Sequence, residues 1–142
     1  MPIFDIETFV YAKVSEDVKA FNNDVYTTGE YIDSPAKFPA VSVIEMSNSV
    51  LEKMSTTNIE NAASVMYEVN IYTNRIGYRK SDAKDILQVV DNAMNELGFV
   101  RIMAQPTPNI ADATIYRITA RYRGVVAPEY GVDGTVYRIY TN

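Results

Sequence analysis

The sequence predicts an α+β fold, with a mixed or antiparallel sheet of five to six strands and two main helices packed on one face of it. Two observations carry this prediction. Apolar residues recur at helical spacing over 5–21 and 81–97, and they alternate with polar ones over 64–73 and 114–126. One helix ahead of a group of strands, and one between strand groups, is the order of an α+β sheet. At 142 residues the chain is expected to form a single domain over 1–142.

In the first helix Ile6, Val10, Val14 and Val18 repeat every fourth position. Phe9 and Phe21 widen the stripe, with Glu7, Lys13, Glu16, Asp17 and Lys19 opposite. Asp5 is placed to cap this helix, and Asn22-Asn23 to end it, since asparagine tolerates left-handed backbone. A short strand is expected over 25–31, then a break at Asp33-Ser34-Pro35 and Pro39. The β-branched run Ala40-Val41-Ser42-Val43-Ile44-Glu45-Met46 reads as a strand. Over 47–63 periodicity disappears among Ser, Thr and Asn, so a long polar loop or loose hairpin is expected there, holding Val50, Leu51 and Met54. From Ser64 to Thr73, Val65, Tyr67, Val69 and Ile71 form one apolar strand face.

The second helix has Ser81 as its expected N-cap, Asp82 and Asp85 at the positive end of the dipole, and a stripe of Ala83, Ile86, Leu87, Val90, Met94 and Leu97. Gly98 stops it. Strands are expected over 99–104, 114–126 and 135–140, the last two joined through a turn at Gly131 and Gly134. The strand at 114–126 sets Tyr116, Ile118, Ala120 and Tyr122 on one face and Arg117, Thr119, Arg121 and Arg123 on the other.

Composition removes whole classes of chemistry. The chain has no cysteine and no histidine, so thiolate nucleophiles, disulfides, the commonest zinc ligand and the usual neutral-pH general base are all absent. The carboxylate pairs Glu16/Asp17 and Asp82/Asp85 fall where a solvated face and a helix start favour acids anyway. Two Ser-x-x-Lys matches, Ser34 with Lys37 and Ser81 with Lys84, lack partner motifs, and no glycine-rich phosphate loop exists. We therefore expect a protein that is not an enzyme and takes neither cofactor nor metal. No stretch is long and apolar enough to span a membrane, and the start lacks a secretory pattern, so synthesis in the cytoplasm is expected.

Charge adds a direction. The net charge of −5 disfavours general attraction to nucleic acid or anionic lipid. Residues 1–74 hold 4 Lys/Arg against 11 Asp/Glu, and residues 75–142 hold 9 against 7, so the halves carry −7 and +2. Either the halves mix on one solvated surface or unlike patches meet head to tail between copies. The row Arg117, Arg121 and Arg123 is a candidate protein contact, with pairing inside the chain as the alternative. Eleven tyrosines fit an interface as well, with Tyr137 and Tyr140 as candidates on the last strand.

Three strings carry a resemblance. Phe38-Pro39-Ala40-Val41-Ser42-Val43, Val65-Met66-Tyr67-Glu68-Val69-Asn70-Ile71-Tyr72 and Pro108-Asn109-Ile110-Ala111-Asp112-Ala113-Thr114-Ile115-Tyr116-Arg117 resemble small head–tail region proteins of phages and prophages of Gram-positive bacteria. Such proteins resemble the tail-terminator, or tail-completion, family, and the likeness spans roughly residues 22–140. It implies a virion protein that forms a ring, usually a hexamer, on the head-proximal end of the tail tube. Such a ring stops tube polymerisation and joins the tube to the head connector. Its partners would be its own copies, the tail tube protein and the head connector protein, with DNA only as cargo through the lumen and no membrane. Val50, Leu51 and Met54 would then reach a neighbouring subunit or the tube. A head-completion, connector or minor capsid component is the alternative. A remote third is a small-molecule-binding domain or an enzyme working through the carboxylates Asp112 or Glu68.

Overall fold

In the computed structural model the described residues are 5–32, 34–50, 62–109, 112–131 and 134–140, with backbone alone at 50, 127–131 and 134–140. They run α1 (Glu7–Phe21), β1 (Tyr26–Thr28), β2 (Ala40–Val50), β3 (Ala63–Thr73), α2 (Arg79–Glu96), β4 (Val100–Pro106), β5 (Tyr116–Gly131) and β6 (Gly134–Tyr140). The six strands form one sheet in the order β1-β2-β3-β5-β4, with β6 also on β5. β1 lies parallel to β2 and the other pairs are antiparallel, so the sheet is mixed. Val125 and Val126 pair with β3 on one edge and β6 on the other, so β6 prolongs the edge that β4 occupies.

Directly paired residues share a face, and the register therefore sorts the sheet into rows. Val41, Ile71 and Ile118 make one row, Val43, Val69 and Ala120 the next, and Glu45, Tyr67 and Tyr122 a third. On this face sit both helices. Val10, Val14 and Val18 of α1, and Ala83, Ile86, Val90, Ala93 and Met94 of α2, are buried in one cluster with these strand residues. Phe99 closes the end of α2 by meeting Tyr67 edge-on, with ring centroids 5.5 Å apart and planes at 84°. The expected architecture of two helices on one sheet face is what forms.

Several boundaries differ from expectation, each for a local reason. Ile6 rather than Asp5 holds the cap position of α1; Asp5 lies one residue before it and accepts from the Glu7 amide at 3.1 Å. Asn22 leaves the helix in extended backbone (φ −149°) rather than left-handed, and its side-chain oxygen accepts from the Asp24 amide at 3.0 Å. α2 begins at Arg79 rather than beside Ser81, whose hydroxyl donates back to the Tyr78 carbonyl from inside the first turn at 3.1 Å. Gly98, at φ +95°, ends it as expected. The strand expected over 25–31 shortens to three residues.

Two differences bear on function. Of the two forms expected over 47–63, a long polar loop or a loose hairpin, the ends of the stretch take the hairpin: the β2–β3 ladder continues through Ser47–Met66, Asn48–Val65, Ser49–Ser64 and Val50–Ala63. A bulge between Glu45 and Ser47 hides this in the sequence: one extra residue, Met46, shifts the alternation by one position, and the pattern looks lost although the strand goes on. Residues 51–61, with Leu51 and Met54, lie outside the described residues. Second, Phe9 and Phe21 do not widen the buried stripe of α1. They are 62% and 53% exposed.

The packing makes Ile86, 2% exposed, a test of which face of α2 is buried. Ile86→Ala should lower stability by about 2–5 kcal/mol, read as a lower urea midpoint at unchanged slope. Lys84→Ala, on the outer face, should stay within about 0.5 kcal/mol of the parent.

Candidate functional site

The sheet face turned away from the helices has its own rows: Ala40, Tyr72 and Arg117; Ser42, Asn70, Thr119 and Gln105; Ile44, Glu68, Arg121 and Met103; Ser47, Met66, Arg123 and Val100. It is closed at one end. Tyr72 donates to the Ile32 carbonyl at 2.7 Å, and Ile32 and Phe38 pack on Ala40, Tyr72 and Ile115. Arg117 lies over both the Tyr72 and Tyr31 rings, 5.4 and 5.8 Å from their centroids.

Polar residues fill the middle of this face, and those of β3 and β5 are satisfied sideways, by one another. The Asn70 side-chain oxygen accepts from Arg117 Nε and Nη2 at 3.0 and 2.9 Å and from Thr119 Oγ1 at 2.8 Å. Its amide donates to Glu68 at 3.2 Å, and Thr107 extends the chain by donating to Thr119 at 2.7 Å. Glu68 in turn accepts from Arg121 at 3.3 Å. Asn70 is fully buried although neither described helix covers it.

This network decides what each arginine can offer. Arg117 is spent inside the chain on Asn70 and two rings. Arg121 is divided, since its guanidinium meets Glu68 with a side chain still 41% exposed. Pairing across the acidic and basic halves is therefore real at Arg121. Arg123, one row further, is exposed and makes no ion pair among the described residues. Of the three, it is the one whose charge faces outward undivided. Val50, Tyr137 and Tyr140 are described in backbone only, in β2 and β6, and Val50 pairs Ala63 while Tyr137 pairs Pro128 and Tyr140 pairs Val125.

The carboxylates raised as remote catalytic candidates are tied into structure. Glu68 belongs to the network above. Asp112 accepts from the Thr114 amide at 2.9 Å and hydroxyl at 2.7 Å, which holds its carboxyl below the ordinary range. On the helix side, Tyr67 donates to Glu45 at 3.0 Å and Tyr122 donates to Asp91 at 3.0 Å, with Arg101 on the same Asp91 oxygen at 3.2 Å. Burial pushes both tyrosine hydroxyls and the Glu45 carboxyl upward. A groove of about 570 Å³ runs past the end of α1 between Phe21, Phe38 and Ile86, with Asp24, Asp82 and Asp85 along it. There Asp82 is engaged by Arg75 Nε and Nη2 at 2.9 and 2.7 Å. Among the described residues no group of three acidic side chains is placed to hold a metal ion, and no helix is long and apolar enough to cross a membrane.

No family model matches the chain, and no curated protein matches it. Among solved structures it is similar to the bacteriophage SPP1 gp17 protein, at 14% identity and a TM-score of 0.41, over 84% of this chain and 91% of that one.

The network and the raised carboxyl are both testable. Asn70→Ala strands the Thr119 hydroxyl and the Arg117 fork without their acceptor, and should cost about 1–3 kcal/mol in chemical denaturation. Glu45 titrates higher folded than unfolded. Its contribution to stability is present below the unfolded value of about 4.3 and is lost as pH rises through the folded one. Glu45→Gln should therefore melt above the parent at pH 7, with the gap closing as pH falls below about 4.

Proposed function

We propose that this protein is a structural virion component, a tail terminator whose copies form a ring, most simply a hexamer, on the head-proximal end of a phage tail tube. The ring caps the tube, stops its polymerisation and offers the opposite rim to the head connector protein, while DNA passes through the lumen as transient cargo. What carries the proposal is the placement of the three strings that resemble that family. They fall on β2, on β3 and on the approach to β5, which are the three adjacent central strands of the sheet. The first two strings lie largely in the ladder and the third enters it at Tyr116 and Arg117, so the likeness bears on the framework of the fold.

The polarity of the surfaces supports the same reading. Arg121 and Arg123 lie on the helix-free face, and the acidic N-terminal half contributes α1 to the helix layer, so each copy offers unlike surfaces in different directions. A head-completion or connector role in the same particle draws on these same features and differs in what the ring touches.

Two measurements test the proposal. The purified protein should sediment as a closed multimer, or close on tube ends when mixed with tail tubes. Tails assembled with its gene deleted should vary in length and fail to join heads. Uniform tails of normal length in that deletion would reject the terminator role, and tails of normal length that still lack heads would move the protein to the connector side.

A further inference from the structure

Among the described residues two surfaces of this fold lack a cover, and they differ in sign. On the helix-free face the last two rows are open: Arg123 and Val100 are exposed, and Ile44, Met66 and Met103 are half-buried. Within each row the apolar side chains are separated by polar or charged ones, Glu68 and Arg121 in one and Arg123 in the other. On the far side of the molecule, the outward stripe of α1 presents Phe9, 62% exposed, in line with Ala12 and Glu16 three and seven residues on. Asp5 and Glu7 flank the start of that stripe, also exposed.

The neighbouring helix makes the contrast. α2 belongs to the same layer, yet its exposed positions include Lys84, Gln88, Asn92 and Asn95, with Gln88 donating to Asn92 at 2.9 Å along the helix. That is a solvated face. α1 instead sets a large aromatic ring beside a small residue that lets another surface approach, with acids around it.

We infer that α1 of one copy packs across the open end of the helix-free sheet face of the next, with Phe9 set on Ile44 and Met66 and Glu16 reaching Arg123. Methionine and isoleucine give an adaptable apolar seat, and the unlike charges fix which way the helix lies. Pairing two helix-free faces instead would bring Arg121 and Arg123 of one copy towards those of the other, which like charge opposes. The two surfaces are different patches of one chain, so the contact runs head to tail and each copy keeps one of each free until the ring closes. The inference rests on the self-assembly proposed above and names the faces that carry it.

The experiment uses the full chain and two charge reversals, Arg123→Glu and Glu16→Arg, with mass in solution read by light scattering and folding by thermal melts. Neither side chain has an ion-pair partner among the described residues, so both variants should melt close to the parent. Each alone should weaken assembly by about tenfold or more, since reversal sets like charges face to face. Mixed in equal amounts they should assemble again. In an alternating ring the two reversed side chains meet at one contact, the two native ones, Arg123 and Glu16, meet at the next, and every contact joins unlike charges. Phe9→Ser should also dissociate the assembly, and mixing should not rescue it. A parent protein that stays monomeric at all concentrations and also fails to close on tail-tube ends overturns both this contact and the ring; where it closes only on tubes, the same reversals are read there. A parent that assembles while both reversals assemble equally well leaves the ring standing and overturns the assignment of faces.

Discussion

Asn70 stands in the middle of the central strand, fully buried, on the side of the sheet that no helix covers. A buried amide without partners costs more than a hydrogen bond returns, and here all the partners come from the sheet itself. Arg117 and Thr119 arrive from β5 and Glu68 from two residues along β3. This ties β3 to β5 in one register. A slip by one residue would turn Asn70 towards the helices and Val69 or Ile71 towards the polar side, so both faces would be wrong at once. Ser42, opposite Asn70 on β2, is the row's one unsatisfied member among the described residues: its hydroxyl is buried without a hydrogen-bond partner.

The availability of charge follows from that anchor. Along β5, Arg117 is consumed by Asn70, Arg121 is shared with Glu68, and Arg123 lies past the last polar partner. A single strand thus changes from internal tie to outward-facing charge between Arg117 and Arg123, and the change tracks the end of the cover supplied by Ile32 and Phe38. Structure and proposed function divide the same face. The closed end holds register, and the open end presents charge.

Much of this was legible in the sequence and some was not, for definite reasons. The stripe of α2 from Ala83 to Met94 and the alternation of Val65, Tyr67, Val69 and Ile71 are pure periodicity, and the residues that carry them are buried, apart from a partly buried Leu87. Alternation also puts Arg117, Arg121 and Arg123 on one face correctly, but it carries no information about what lies across from each, and Asn70 and Glu68 decide their roles. The bulge at Met46 hid the end of β2 because periodicity counts residues and a bulge inserts one. Phe9 falls outside the buried stripe for a different reason. Hydropathy records that a phenylalanine is apolar and cannot say that the valines of α1 already fill the space beneath the helix.

The sheet also has an open edge, and its chemistry favours the face over the edge for the proposed association. β4 carries a bulge between Arg101 and Met103 that leaves Ile102 unpaired and 49% exposed, and it ends on Pro106, which has no amide hydrogen to give. Bulges and prolines are the devices that keep an edge from accepting another strand. The open face is guarded differently, by setting Ile44, Met66, Met103 and Val100 among Glu68, Arg121 and Arg123 so that no row holds two adjacent apolar residues. A surface written this way tolerates water in the free subunit and still offers charge to steer an acidic partner. Edge pairing recruits backbone and is nearly blind to side chains, whereas face packing is selective. In the proposed ring, where a set number of copies add and then stop, blocking the first and keeping the second is what assembly requires.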